Sequence, residues 1–517
     1  MVGPGKAGPA TALSTSPGIG IEVWLPSQKN WNGRLHVVGG GGWSGTAEAS
    51  TTAISTGGQA GDIDRAFPAT IAGVEGAVSA TTDTGHQDPA PFGTGSFAMN
   101  PDGSINETLW ADFASRAIHE MAVKSKALAK AYYGSPPAYS YWDGGSTGGR
   151  QGLKEVQVNP NDFDGILAAY PAINWSKFIT AELYPQIVVQ QDLGGVALTE
   201  DQQTLVSTAA INACDVVNGV HLGYVLDPAQ CAYDPTKDTN VLCTSSGGKN
   251  ATASCVTTIQ AQAFNKIWYG MTSDGSVSSP AADTGWGITP TGSQLWYGLA
   301  RGTSTHSFAG MPIGLASSVM PFPISDQQVA LELQNPSIAG PAFTNATGNG
   351  NSAWRFLSYA DLSNAFDRGI ALQSSFGNIN TDNPDLTEYK KRGGKIISFH
   401  GLADEVIFPQ GSINYYNRVI GQMGGLEAVQ SFYRFYLIPG MGHGTPNGTA
   451  NSGAKPPLPS PGQFYKLLTE WVEKGMVPGQ VDLTNSDKTI SQPACLYPKK
   501  ATYQSGNPLV MSSYKCS

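Results

Sequence analysis

Charge is scarce in this chain: only 13% of its 517 residues are Asp, Glu, Lys or Arg, about half the share usual in soluble domains. What charge there is leans acidic, with 30 basic against 39 acidic residues and a net of −9. Nucleic acid and anionic membranes demand a clustered basic face, so neither is expected as a partner. No apolar run approaches the ~18–20 residues of a membrane span. The first twenty residues, MVGPGKAGPATALSTSPGIG, lack a signal peptide's apolar core, so any export signal is expected to have been removed or never to have been present. The tight C-x₂₋₄-C pairs that tetrahedral zinc requires are missing, and so is any internal repeat.

What is present points outward from the cell. Apolar residues make up 40%, enough for a core, which excludes wholesale disorder. Glycine (63) and proline (34) are abundant, giving a turn-rich chain with a hydroxyl- and amide-covered surface. The length predicts two or three domains, or one large domain carrying an insertion. Six cysteines, Cys214, Cys231, Cys243, Cys255, Cys495 and Cys516, lie in loop-like surroundings. An even count there favours disulfides, most simply 214–231, 243–255 and 495–516, out of fifteen possible connectivities. A secreted or periplasmic protein is expected. No feature of the sequence sets a subunit count.

The first ~170 residues alternate strand and helix signals. RLHVV (34–38) is an apolar run ending in four glycines, Gly39 to Gly42, and residues 77–82 read as another strand before the turn Asp83-Thr84-Gly85-His86. Residues 109–133 give the clearest helix, with Trp110, Phe113, Ala117, Met121 and Leu128 on one face. AYSYW (138–142) runs into Asp143-Gly144-Gly145-Ser146-Thr147-Gly148-Gly149, and FDGILAAY (163–170) is a buried strand. From about Asn174 to Thr387 the alternation stops, and that stretch reads as an inserted, loop-rich domain with scattered aromatics. Alternation returns with strands at 395–399 and 432–438 and helices at 410–421 and 461–474. The expectation is an α/β fold of mostly parallel strands, residues 1–171 and 389–517, interrupted by an insertion over 172–388.

Gly144-Gly145-Ser146-Thr147-Gly148 fits G-x-S-x-G between a strand and a helix. A nucleophile on so tight a turn has strained backbone angles, and flanking side chains would collide with neighbouring backbone. Asp404 and His443 each follow a predicted strand, and the order Ser146, Asp404, His443 is that of an α/β-hydrolase triad. Serine needs an imidazole to accept its proton, and the carboxylate orients that imidazole. His86 and His400, also at strand ends, are the rival bases; Glu405 competes for the acid role. Two backbone N–H groups must hold the oxyanion: that of Thr147 and one from the glycine loop, Gly41 or Gly42.

Taken together, RLHVVGGGGWSG, SATTDTGHQ, DFASRAIHEMAVKSKALAKAYYG, YWDGGSTGGRQGL, NINTDNPDLTEYKKRGGKIISFHGLADEV and FYLIPGMGHG resemble the tannase/feruloyl esterase family, which also contains the hydrolase of mono(2-hydroxyethyl) terephthalate. The resemblance implies an α/β-hydrolase fold with a large lid domain inserted after the nucleophile-bearing half. It also implies a nucleophile at Ser146, an acid at Asp404 and a base at His443. Two departures stand out. Most members have a bridged cysteine pair where this chain has Gly145 and Gly444, so the two positions are expected within the ~4.4–6.8 Å Cα reach of a disulfide, and a Gly145→Cys/Gly444→Cys pair is expected to oxidise. The family's lid also carries a calcium loop resembling C-D-x-x-D-G-V-x-D-G. Here it reads Cys214-Asp215-Val216-Val217-Asn218-Gly219-Val220-His221-Leu222-Gly223, with Asn218 and Leu222 in place of carboxylates. Asp215, Asn218 and the backbone oxygens of Val220 and Tyr224 would form only a weak site for so hard a cation. No other cofactor is expected.

The sequence therefore predicts an exported carboxylic-ester hydrolase acting on small aromatic esters of hydroxycinnamate, gallate or terephthalate type. A lipase-like or polyester-depolymerising esterase shares the triad; a catalytically inactive binding protein would typically have lost one of its members.

Overall fold

A computed structural model describes residues 18–44, 67–87, 93–306, 321–444 and 446–517; most of the N-terminal stretch read above for an export signal lies outside them. Nine strands matter here, in chain order: β1 (Ile21–Trp24), β2 (Arg34–Val38), β3 (Ser79–Thr82), β4 (Tyr139–Gly145), β5 (Gly165–Ala169), β6 (Val216–Val217), β7 (Val220–His221), β8 (Lys395–Gly401) and β9 (Tyr433–Ile438). Five of them form one sheet in the order β2-β4-β5-β8-β9. Every pairing in it is parallel. Such strands are buried on both faces and read as continuous apolar runs. Ile396, Ile397 and Phe399 of β8 are fully buried, as are Ile166 and Leu167 of β5. β1 and β3 pair antiparallel beside the sheet, with β3 starting one or two residues later than its sequence signal. A mixed α/β fold around a parallel sheet is what the alternating signals predicted.

The predicted 109–133 helix runs longer, as Glu107–Ala111 and Ala117–Tyr133 joined by one wider turn over Asp112–Arg116. A left-handed Gly134 ends it. The helix Gln463–Lys474 closes the other face, with Phe464, Leu468 and Trp471 buried and Gly475 at its stop.

The stretch between β5 and β8 departs from the loop-rich expectation. Its described residues hold the helices Trp175–Glu182, Tyr184–Asp192, Glu200–Cys214, Thr258–Tyr269, Ser325–Leu333 and Tyr359–Ala371. Three of these begin with reciprocal caps, Thr199 with Gln202, Thr257 with Gln260 and Ser358 with Asp361, in which side chains satisfy the orphan N–H groups of the first turn. Their buried faces carry Trp175, Phe178 and Trp268 into one apolar cluster with Trp43, Phe97, Trp110 and Phe113 of the N-terminal part, which Trp354 joins from the short turn Ala353–Phe356. The three disulfides are those expected, Cys214–Cys231, Cys243–Cys255 and Cys495–Cys516. Each closes a short loop worth about 3 kcal/mol in the chain-entropy account.

Candidate active site

β4 turns into the helix Thr147–Val158 at Ser146, whose φ of 60° and ψ of −123° lie where a side-chain-bearing residue is strained. Such backbone costs about 1–3 kcal/mol and persists only when its surroundings fix it. They do so here from both sides: Ser146 N–H donates to the Ala169 carbonyl at 3.1 Å, and Ala172 N–H donates to the Ser146 carbonyl at 2.9 Å. The glycines are dictated by close approach. A Cβ on Gly144 would fall 2.5 Å from the Gly148 carbonyl, and one on Gly39 would fall 2.4 Å from Gly148 Cα. The glycine loop after β2 is thus pressed directly against the first turn of the helix that follows Ser146.

That contact also bears on the oxyanion donors. Gly39 N–H donates to the Asp143 carbonyl at 3.1 Å and Gly40 N–H to Gln151 Oε1 at 3.1 Å. Among the described residues no acceptor meets the N–H of Gly41 or Gly42. Thr147 Oγ donates to the Gly42 carbonyl at 2.7 Å, tying the two proposed donor segments together.

Asp404 follows β8 and is wholly buried. Its Oδ1 accepts from the N–H groups of Val406 (2.9 Å) and Ile407 (2.8 Å). Its Oδ2 lies 3.1 Å from His400 Nε2 and 3.1 Å from His443 Nδ1. Burial alone would raise this carboxyl. The charge of His443 and the hydrogen bonds from both imidazoles outweigh it and hold the group well below the usual carboxylate range. His443 comes from the loop after β9. With Nδ1 facing the Asp404 carboxylate, the hydrogen is assigned to that atom, which leaves Nε2 with its lone pair. Burial pulls its pKa down, but Asp404's charge and hydrogen bond, with Glu405's charge, raise it on balance.

The other candidates are placed differently. His400 is fully buried, with Nε2 between Asp404 and the Ile407 carbonyl and Nδ1 2.9 Å from Ser412 Oγ. Both ring nitrogens serve the interior. His86 is buried against Phe97, ring centroids 3.6 Å apart. Glu405 meets the backbone of His443, its Oε2 accepting the His443 main-chain N–H at 2.9 Å. Burial, then the charge of Asp404, pushes its carboxyl up to about 7, against the opposing N–H donation and charge of His443. Glu182, which no sequence signal marked, is buried with no hydrogen-bond partner among the described residues; burial, then Asp404's charge, raises its carboxyl well above the ordinary range.

The loop read as a weak calcium candidate is closed by its own hydrogen bonds, and its residues do not fit the ion. Both Asp215 oxygens are taken, Oδ1 by His221 Nδ1 at 2.6 Å and Oδ2 by Gly223 N–H at 2.8 Å. Asn218 and Gly219 occupy the two left-handed positions between β6 and β7, the signature of a tight I′ hairpin turn. Val220 pairs with Val217 in that hairpin, while Leu222 and Tyr224 are buried. Asn-Gly is a hairpin signal that outweighed the partial ion-loop match. The engineered cysteine pair meets two obstacles: a Cβ on Gly145 would fall 2.3 Å from the Tyr170 hydroxyl, and at Gly444 a φ of +80° would strain any side chain. Elsewhere, His119, Glu155 and Asp162 bring ligand atoms within 4.8 Å of one another. His119 already pairs with Asp162 at 2.7 Å, Lys126 donates to the Asp162 main-chain carbonyl, and the charge of Lys154 acts on Glu155.

A family model described as tannase and feruloyl esterase matches residues 7–517. The chain belongs to the tannase and feruloyl esterase family. It is 34% identical to a probable feruloyl esterase of Arthroderma benhamiae, over 96% of this chain and 82% of the relative. It is 28% identical to a probable feruloyl esterase B-2 of Aspergillus terreus, over 98% and 85%. Among solved structures it matches feruloyl esterase B from Aspergillus oryzae with a TM-score of 0.71 at 24% identity, covering 98% of this chain and 88% of that one. It matches the tannin acyl hydrolase of Aspergillus niger at 0.72 and 22%, covering 98% and 85%. At those identities the two structures speak for a shared α/β-hydrolase fold. Family membership makes this chain a carboxylic-ester hydrolase, in which a small ester is the substrate. No described helix is long and apolar enough to cross a membrane.

Proposed function

We propose that this esterase works through Ser146, His443 and Asp404 on small aromatic esters, and that it does so outside the cytosol. The observation that carries the reading is the wiring of Asp404: two backbone N–H groups and His400 fix the carboxylate, and His443 Nδ1 is its remaining partner. His443 Nε2 takes the Ser146 proton as Oγ adds to the ester carbonyl. The oxyanion rests on the N–H of Thr147 and of Gly41 or Gly42. Collapse of the tetrahedral intermediate passes the proton to the departing alkoxide and leaves an acyl-serine. Water, deprotonated by the same imidazole, then releases the acid and restores Ser146.

The inserted helices over 172–388 supply a lid in this reading, supported by the aromatic cluster they share with Trp43 and Phe97. The hydroxycinnamate or gallate class is supported by the names of the relatives. Secretion is supported by three disulfides, which persist in oxidising compartments. The test is a panel of methyl ferulate, methyl gallate and p-nitrophenyl alkanoates, with Ser146→Ala as control. The aromatic methyl esters should be preferred, and Ser146→Ala should lose nearly all turnover while staying folded, because a triad acts as a unit. Preference for long acyl chains would favour a lipase-like enzyme, and an active Ser146→Ala would move the nucleophile elsewhere.

A further inference from the structure

Tyr170 stands between the two loops that bear the nucleophile and the base. It is the first residue after β5, is 1% exposed, and has φ +32°, an unusual backbone state for an aromatic residue. Its N–H donates to the Phe399 carbonyl at 2.6 Å, extending the β5–β8 pairing, and Ala169 and Ala172, on either side of it in the chain, both bond to the Ser146 backbone. The side chain faces the catalytic loops. An ideal Cβ on Gly145 would meet the phenol at three atoms, 2.3 to 2.6 Å away, and one on Gly444 would lie 4.0 Å from the same hydroxyl. The ring lies 4.9 Å from the His443 imidazole at 66°, an edge-to-face contact of the favourable kind. One rigid side chain therefore touches the residue before Ser146, approaches the residue after His443, and packs on His443 itself.

From this arrangement we infer that Tyr170 is a positioning residue for the esterase reaction, a non-covalent wedge that sets the spacing between Ser146 and the His443 imidazole. The inference rests on the proposed triad. Asp404 holds His443 by Nδ1 alone, which leaves the ring free to swing about that bond. Tyr170 packs against the ring and restrains the swing, and the strain at φ +32° is sustained because the Phe399 bond and Phe399 ring packing over-determine it. Gly145 is glycine because the phenol takes the space of its side chain. A side chain at 145 has no room while Tyr170 stands where it does, so the tie between the loops is here made by packing.

The test compares Tyr170→Phe, Tyr170→Leu and Ser146→Ala in the full chain, using p-nitrophenyl acetate so that no substrate preference is assumed. Melting temperature establishes folding first, and Tyr170→Met replaces the leucine variant if that one does not fold. Misplacing a catalytic group by about 1 Å costs up to ~10²-fold. Tyr170→Leu should thus lose 10- to 100-fold in kcat with KM within about twofold, and Ser146 should label with a fluorophosphonate correspondingly more slowly. Tyr170→Phe, which keeps the ring on His443, should recover most of that loss. A leucine variant within threefold of the parent in kcat overturns the wedge, as does a loss confined to KM, which would make Tyr170 a substrate contact. If Ser146→Ala itself turns over or labels like the parent, the triad reading has failed instead.

Discussion

His400 is the residue whose loss would report most directly on how Asp404 is held. Replacing it by phenylalanine keeps a ring of similar size in a fully buried position while deleting both nitrogens. Three groups then lose a partner at once: Asp404 Oδ2 at 3.1 Å, the Ile407 carbonyl at 3.1 Å and Ser412 Oγ at 2.9 Å. A buried polar group left unmet costs ~1–3 kcal/mol, with the larger figure for a charged one. Relaxation is shared among the three, so His400→Phe should destabilise the protein by about 3–4 kcal/mol, a large part of the ~5–15 kcal/mol a fold has to spare. Asp404 keeps its two backbone donors and His443, so it stays ionised at neutral pH. The loss of activity should therefore be modest, about tenfold, from a carboxylate free to rotate. Guanidinium unfolding followed by tryptophan fluorescence gives the first number, and ester hydrolysis at a denaturant-free pH 7 gives the second. An unchanged unfolding midpoint would refute the claim that His400 holds Asp404. A stable His400→Phe as inert as Ser146→Ala would make His400, not His443, the base.

Three further outcomes can be measured. Glu405→Gln keeps an acceptor for His443 N–H but removes the charge, present as pH rises through about 7, that helps raise the His443 pKa, so the acid limb of log(kcat/KM) should move to lower pH; an unmoved limb contradicts that coupling. His36 is raised to about 9, burial opposing and Glu75 and Asp143 prevailing. Its contribution is complete below its unfolded value near 6.5 and is lost as pH rises through 9. Unfolding free energy should thus fall by about 3 kcal/mol across that window, a slope His36→Phe should flatten in pH-resolved denaturant titrations. Millimolar calcium or EGTA should leave the melting temperature unchanged and Asp215→Ala should not create calcium sensitivity; a rise with calcium would show that the hairpin opens to bind it.

The parts of this site that could be read in the sequence are those set by short-range chemistry. A strand, a strained serine and a helix within a dozen residues announce the elbow, because glycine alone tolerates the 2.4–2.5 Å approaches found at Gly39 and Gly144. Asp404 and His443 each sit just past a strand, where chain order and spacing carry the information. What stayed hidden is set by contacts between distant segments. His400 looks like a second candidate base until Ser412 and Asp404 are found on its two nitrogens. Tyr170 ends an apolar strand and reads as core, because nothing local tells which loops its ring touches. The helices between β5 and β8 were hidden differently. EDQQTLVSTAAINAC has little apolar periodicity, and its clearest sign, the Thr199-x-x-Gln202 cap, is short and easily lost among so many hydroxyl residues.

The neighbours β5 and β8 pair residue for residue, Gly165 with Lys395 through Ala169 with Phe399, although more than two hundred residues of chain separate them. During synthesis, at ~5–20 residues per second, the edge of β5 therefore lies open for roughly 10–45 seconds before its partner emerges. An open edge rich in Ile, Leu and Ala is a template for pairing with other nascent chains. The loops bearing Asp404 and His443, which follow β8 and β9, are in place only once that edge is closed. Yield in a foreign host should then depend less on the stability of the finished enzyme than on translation speed and on chaperones that shield this strand, and slowing initiation to thin out nascent chains should raise the fraction of active protein.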